Sequence, residues 1–423
     1  MIISTDILFN FMLVLRKLFI LIFILTSAFA VAQKQANVWY FGEYAGLDFN
    51  TGEAIAIAGI SVKCDASISD SAGNFLFATN ARTIWNKNKM IMQNGEDLIG
   101  GGWPTQAAVI VQKPGSNHLY YVFTIKGFQN PPGLYYSVVD MELDDGLGAV
   151  IEKNISLDAA WDAVEKLTAV KHSNGKDIWI ITRKFNEESY ASFLLTSSGI
   201  NTNAVLSYTP HQPINFSRGQ IKISYNKKYL IAAYKNQWLP NNTIYNRFHI
   251  NHFNASTGEI NFMYTISFPY GLDSEDPQSV EFSPDSKWAY LSTWAYTDNG
   301  LNEEHHIYQY DMSLIEDSTQ FVNSVIMISN TGGAGLQLAT DGKIYCSSPN
   351  PVRSKFLNII NKPWKKGEDC DFEENAVNLD FDGWGRYTTE YIINILLDYL
   401  YRFEWDGHCQ SEPFQFQSNF QPV

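Results

Sequence analysis

Two near-copies of one pattern, VEFSPDSKWAYLSTW (Val280–Trp294) and LQLATDGKIYCSS (Leu336–Ser348), constrain this chain more than any other feature of its sequence. Each has an apolar-alternating run, a tight turn built from Pro, Asp, Ser or Gly, and a second alternating run that carries an aromatic and a small hydroxyl residue. That is the signature of a β-hairpin with one buried face. Four further copies stand at Ile68–Asn80, Ile110–Thr124, Val170–Arg183 and Ile223–Tyr234. With turns at Gly73, Gly115, Gly175, Lys227, Ser286 and Gly342, the copies are separated by 42, 60, 52, 59 and 56 residues. None of these segments has the 3.6-residue apolar spacing of a helical repeat. An all-strand repeat of this period predicts propeller blades of four strands each.

The outer strands fall between the hairpins. LYYSVVDMELDDGLGAV (Leu134–Val150), FHINHFNASTGEI (Phe248–Ile260) and IYQYDMSLIEDS (Ile307–Ser318) each supply a third strand and the start of a fourth. The expected fold is therefore an all-β propeller of six blades, or alternatively seven. NVWYFGEYAGLDFNTGEAI (Asn37–Ile55) has outer-strand character but precedes every hairpin. It is expected to complete the last blade through the strand around Val38 to Phe41, closing the ring and leaving no exposed edge.

Composition agrees with a strand-rich fold and removes one class of partner. Aromatic residues make up 14% of the chain and charged residues only 17%, and aromatics favour strands. The net charge is -14, so the attraction to phosphate backbones that nucleic-acid binding draws on is missing. The four cysteines, Cys64, Cys346, Cys370 and Cys409, are too few for a disulfide scaffold and form no CxxC pair. Their pairing is left open, and Cys346 reads as a small buried strand residue.

The N-terminus has the parts of an export signal. Arg16 and Lys17 precede the apolar run Leu18–Leu25, and AVA at Ala30–Ala32 is a small-residue cleavage site. The uncharged stretch from Leu18 to Ala32 is short of the roughly 20 residues that span a bilayer. Residues 1–32 are thus expected to be removed, leaving a monomeric chain outside the cytoplasm with no membrane span.

Motifs that carry chemistry are missing: there is no G-x-S-x-G elbow, H-E-x-x-H, P-loop or G-x-G-x-x-G. No enzymatic activity, cofactor or metal is expected. Along strands, His249 and His252 face opposite sides, and the neighbours His305 and His306 diverge as a solvated pair. The acidic run at Asp140–Gly146 offers Ile151 where a calcium-binding loop needs Glu, and DSEDP (Asp273–Pro277) reads as a solvated turn. His172 reads as a turn residue bonded to backbone, and Glu165 as a partner of Lys166 or of a neighbouring blade. Aligning the hairpins on their turns picks out Lys222, Glu281 and Gln337 at one level of the innermost strands. They are candidate binding residues lining the channel, or else polar groups that satisfy one another.

Segments NVWYFGEYAGLDFNTG, EKLTAVKHSNGKDIWIITR, VEFSPDS, LQLATDGKIY and LNIINKPWKKGEDC resemble the N-terminal propeller region of large secreted surface proteins of Bacteroidetes. Those proteins carry PKD-type immunoglobulin-like repeats and a gliding-motility-associated C-terminal sorting domain. The resemblance runs from about Asn37 to Leu379. It implies outer-membrane or extracellular placement through a dedicated secretion route, and no established enzymatic activity. With the export signal, the propeller and the aromatic-rich loops, the expected function is a non-catalytic surface module that binds or adheres to a glycan or surface protein. The expected organisation is a signal peptide (1–32), a propeller (33–400), and a linker with the first strand of a truncated immunoglobulin- or PKD-like domain (401–423), where Phe414, Phe416 and Phe420 alternate. A propeller enzyme acting on polysaccharide and a structural spacer are the alternatives.

Overall fold

The computed structural model describes residues 34–383 apart from 62, 102–104, 127–131, 185–188, 210–217, 239–243, 269–274, 298–301 and 348–353, together with 403–406 and 415–418. Seven antiparallel sheets follow one another along the chain, making an all-β propeller of seven blades. Blade 1 holds β1 (Val38–Phe41), β2 (Ala45–Asp48) and β3 (Ile55–Ala58); blade 2 holds β4 (Ala66–Ser69), β5 (Phe75–Thr79) and β6 (Ile84–Asn86). Blade 3 runs β7 (Ala108–Gln112), β8 (Leu119–Lys126), β9 (Gly133–Asp140) and β10 (Ala149–Ser156). Blade 4 runs β11 (Ala163–Lys171), β12 (Ile178–Lys184) and β13 (Ser189–Thr196), with β14 (Gly199–Ile200) and β15 (Val205–Tyr208) both paired to β13.

Blade 5 is β16 (Ile221–Ile223), β17 (Tyr229–Trp238), β18 (Ile244–Phe253) and β19 (Ile260–Phe268). Blade 6 is β20 (Glu275–Phe282), β21 (Trp288–Thr297), β22 (Asn302–Asp311) and β23 (Ile326–Ser329), the last preceded by the short helix α1 (Ser318–Asn323), which Asp317 caps. Blade 7 is β24 (Leu336–Leu338), β25 (Ile344–Ser347), β26 (Phe356–Ile360) and β27 (Phe372–Asn378). A separate two-stranded pair joins β28 (Phe403–Asp406) to β29 (Gln415–Ser418).

The six turns of the repeat are where the spacing puts them. Gly73, Gly115, Gly175 and Gly342 all have positive φ, and so do Lys227 and Ser286, at 59° and 56°. The first hairpin of every blade from 2 to 7 therefore closes through a left-handed residue.

Blade count and ring closure depart from the primary expectation of six. Blade 7 already has four strands of its own, because the polar FEENAVN segment forms β27 and pairs with β26. No vacancy is left for the N-terminal strand. Instead β1 pairs with β2 and β2 with β3 in a sheet that stands between blades 7 and 2. Strand alternation gives this sheet two buried faces. Trp39, Phe41 and Leu47 pack against Tyr345, Leu357 and Ile359 of blade 7, while Val38 and Tyr40 pack toward Cys64 and Ala78 of blade 2. Five further apolar clusters fill the remaining junctions from blade 2 round to blade 7. Face-to-face packing, rather than a shared sheet, closes the ring.

Cys64, Cys346 and Cys370 are buried; Cys346 is a strand residue, as its sequence context suggested. Among the described residues no helix is long and apolar enough to cross a membrane.

Candidate functional site

In each blade the first strand runs toward its hairpin turn and the second returns. The propeller thus has a turn face and an opposite face, where second strands end, third strands begin and the chain passes between blades. Along the axis between these faces, inner strands are bonded directly to one another. Nearer the turn face, the sequence-derived trio comes together. Lys222 Nζ lies 2.8 Å from Glu281 Oε2 and donates to Gln337 Oε1 at 3.1 Å. Glu281 also accepts from Tyr225 Oη (2.9 Å), Phe282 N (2.8 Å) and Leu338 N (2.8 Å). Glu281 is 0% exposed, Gln337 2% and Lys222 9%. The Lys222–Gln337 bond joins blade 5 to blade 7 past blade 6.

A second set of links lies nearer the opposite face. Gln106, just before β7, exchanges two hydrogen bonds with the Ile221 backbone, reaching from blade 3 to blade 5. Glu165 has φ 66° and accepts from Thr105 N (3.0 Å) and Oγ1 (3.2 Å), so it serves the neighbouring blade. Lys166 Nζ donates to Gly219 O at 2.8 Å. Ser279 donates to Gln220 and accepts from Leu336 N. These groups are mutually satisfied, which makes this part of the axis a structural plug.

The richest chemistry lies where blades 5 and 6 meet that same face. Within DSEDP, Glu275, Asp276 and Pro277 are strand residues rather than a solvated turn, while Asp273 and Ser274 lie outside the described residues. Glu275 and Asp276 open β20, and Asp276 is 4% exposed. Asp276 accepts from Asn246 Nδ2 (2.6 Å) and lies 3.3 Å from Lys235 Nζ; burial pushes its carboxyl up. Cross-strand register aligns Asp276 with Trp294 and Trp294 with His305. Lys235 Nζ sits 4.5 Å from the indole centroid, and the His305 and Tyr296 rings lie at 5.1 and 6.0 Å. Trp294 is partly buried, and its Nε1 and His305 Nδ1 are buried atoms without a hydrogen-bond partner among the described residues.

His305 and His306 diverge as neighbours on a strand must, but they are not solvated: both are buried, at 3% and 7%. His306 Nδ1 contacts Tyr308 Oη (2.9 Å) and Glu275 Oε1 (3.3 Å), and its Nε2 contacts Glu304 Oε2 (3.0 Å). The bond to Glu275 is the main reason its pKa is raised, with Glu304 adding to it. Glu275 itself is held below the usual range, against the pull of burial, by His306, Tyr308 and Thr293. His305 is driven down to about 4 by burial, then by Lys235 and the His306 charge.

The two histidines give opposite pH dependences. An unfolded His305 takes up a proton near 6.5 while the folded one resists until about 4, so stability is lost as pH falls through that window. His306 stabilises fully below its unfolded pKa and loses that contribution as pH rises through its raised value. Urea titrations from pH 4 to 9 are expected to show a stability maximum, with the alkaline limb flattened in His306→Gln and the acid limb in His305→Gln. Unchanged limbs in both variants would contradict these assignments.

Other candidates resolve plainly. His249 is buried against Tyr234, at 4.2 Å, while His252 faces Glu316 at 3.3 Å on the other side, so the two share no site. His172 accepts from Asn174 N at 2.9 Å, and its Nε2 contacts Ser256 O at 3.0 Å, as a turn residue. Asp140 ends β9, where His118 Nδ1 (2.9 Å) and Glu142 N (2.9 Å) bond it.

No family model matches the sequence, and no curated protein matches it. Solved structures are similar in fold. A periplasmic gluconolactonase of Pseudomonas aeruginosa is 9% identical, with a TM-score of 0.51 over 83% of this chain and 97% of its own. The Dos1 propeller is 10% identical, with a TM-score of 0.42 over 82% and 84%. A GH74 enzyme of Niastella koreensis is 11% identical, with a TM-score of 0.38 over 80% of this chain and 46% of that one. At 9% identity the likeness to the gluconolactonase shows the fold alone.

Proposed function

We propose that this propeller is the binding module of an exported, cell-surface protein, and that it recognises a glycan without transforming it. The observation that carries the reading is the Asp276–Trp294–His305 row. A partly exposed indole flanked by a carboxylate, an ammonium and an imidazole matches a sugar, which offers an apolar C–H face ringed by hydroxyls. Trp294 Nε1 and His305 Nδ1, buried and without a partner among the described residues, leave hydrogen-bonding capacity beside the indole. The carboxylates here are held by other groups: Glu275 by His306, Tyr308 and Thr293, and Asp276 by Lys235 and Asn246. That favours binding over acid–base turnover. The apolar N-terminal run with its small-residue cleavage site, and the resemblance to secreted Bacteroidetes propellers, support export.

The test is a glycan array with parallel turnover assays on residues 33–423. Saturable binding to a polysaccharide fragment is expected, weakened by about 2 kcal/mol or more in Trp294→Ala, as for a central aromatic anchor. Silence across the array would overturn the glycan reading. Steady product formation from any polysaccharide would overturn the non-catalytic one.

A further inference from the structure

The junction of blades 4 and 5 contains a buried cation with no counter-charge among the described residues. Arg183, on β12, is 2% exposed, and its Nε and Nη1 have no hydrogen-bond partner. Among the described residues no carboxylate lies within ion-pair distance of it. Its guanidinium carbon sits 5.0 Å from the centroid of the Tyr190 ring. Beside it Lys166, wholly buried, bonded to Gly219 O and opposed by the Glu165 carboxylate, lies 4.4 Å from the centroid of Tyr234, and the Tyr190 and Tyr234 hydroxyls are 3.0 Å apart.

Strand alternation places these groups in one layer. Lys166, Arg183, Tyr190 and Ser192 share parity with Val170 and Ile181 on the face of blade 4 that meets blade 5, and Tyr234 and Asn251 look back from blade 5 with Leu230 and Phe253. Ser192 Oγ and Asn251 Oδ1 are also buried without partners. The layer therefore holds four polar atoms without partners among the described residues, two of them on the Arg183 guanidinium.

Arginine stays protonated in proteins. An unpaired buried ion is strongly destabilising, and a cation–π contact offsets only part of that cost. The sum is unfavourable unless a counter-charge enters. We propose that this layer is an oxyanion-binding site, taking a carboxylate or sulfate group against Arg183, with Ser192 as an added donor. Arg183 is the last residue but one of β12 and Tyr190 the second of β13, so the layer lies at the face opposite the hairpin turns. The group is either free in solution or carried on an acidic sugar. The site is separate from the Trp294 row and stands independently of the glycan reading.

Thermal unfolding of residues 33–423 would be followed in sodium chloride at constant ionic strength, titrated with acetate, sulfate, glucuronate or neutral glucose. A saturable rise in Tm is expected with at least one oxyanion and none with glucose. Stronger binding of glucuronate than acetate would assign the sugar-borne form, and equal binding the free anion. Arg183→Met should abolish the rise, Arg183→Lys should weaken it at least tenfold in midpoint, and Trp294→Ala should leave it intact. A Tm that follows ionic strength alone, identically in wild type and Arg183→Lys, would overturn the proposal even if Arg183→Met fails to fold.

Discussion

Replacing Glu281 with alanine is expected to cost the fold about 3–5 kcal/mol, the usual penalty for removing one partner of a buried ion pair. The carboxylate is fully buried and bonded from four directions: Lys222, Tyr225, and the backbone N–H groups of Phe282 and Leu338. Alanine would leave the Lys222 ammonium with Gln337 as its remaining bonded partner and strand three further donors. Glutamine keeps the volume but turns an NH2 toward a donor, so Glu281→Gln should fall between alanine and wild type. Adding Lys222→Met to Glu281→Ala should recover part of the loss, because the uncompensated charge goes with it. Urea midpoints at constant m-value read all four states of this cycle. A loss under about 1 kcal/mol in Glu281→Ala, or no recovery in the double variant, would show that the trio does not brace the ring and would return these residues to candidacy as ligand contacts.

That trio was legible because a repeat makes position transferable. Once the hairpins are aligned on their turns, residues two before the turn-flanking Ser or Ala must fall at one level of the axis, and Lys222, Glu281 and Gln337 do. The turns were legible for a related reason, since Gly, or a polar residue able to take positive φ, interrupts two alternating runs. Blade 1 was not legible as a blade. Its strands are four residues or fewer, its first turn is compressed into Gly42–Tyr44 with φ 58° and 55° at those two residues, and its sequence lacks the longer alternation of the others. β27 was hidden as well, because an outermost strand needs little apolar surface and FEENAVN reads as a charged loop. The Trp294 row escaped notice because its members are distant in sequence. Asp276 looks like part of a turn until Lys235 and Asn246, on the preceding blade, bury it and bond it. The divergence of His305 and His306 followed from strand geometry, but their burial depends on partners that no local pattern announces.

Deleting residues 33–60 is expected to abolish the folded monomer. The deletion removes blade 1, and with it the apolar fill of two junctions at once. On the blade 7 side, Trp39 is 0% exposed, donates through Nε1 to Ala36 O at 2.8 Å, and packs with Phe49 and Tyr345 at centroid distances of 4.7 and 5.8 Å. On the blade 2 side, Tyr40 meets Phe75 edge-on at 4.5 Å, and Ser67 Oγ donates to Val38 O at 2.8 Å. Without these residues the faces of blades 7 and 2 meet water, at roughly 1.5–3 kcal/mol for each large side chain exposed. Contiguous apolar faces of this kind drive association. Trp39→Ala is the graded form of the same experiment: cavity formation at a fully buried tryptophan should cost about 3–5 kcal/mol while leaving the ring able to form. Size-exclusion chromatography and urea unfolding separate the two variants, with the deletion eluting as aggregate and Trp39→Ala as a destabilised species of wild-type size. A deletion product that elutes as a monomer and unfolds at the wild-type midpoint would mean that six blades suffice and that blade 1 is an appendage rather than the seventh member of the ring.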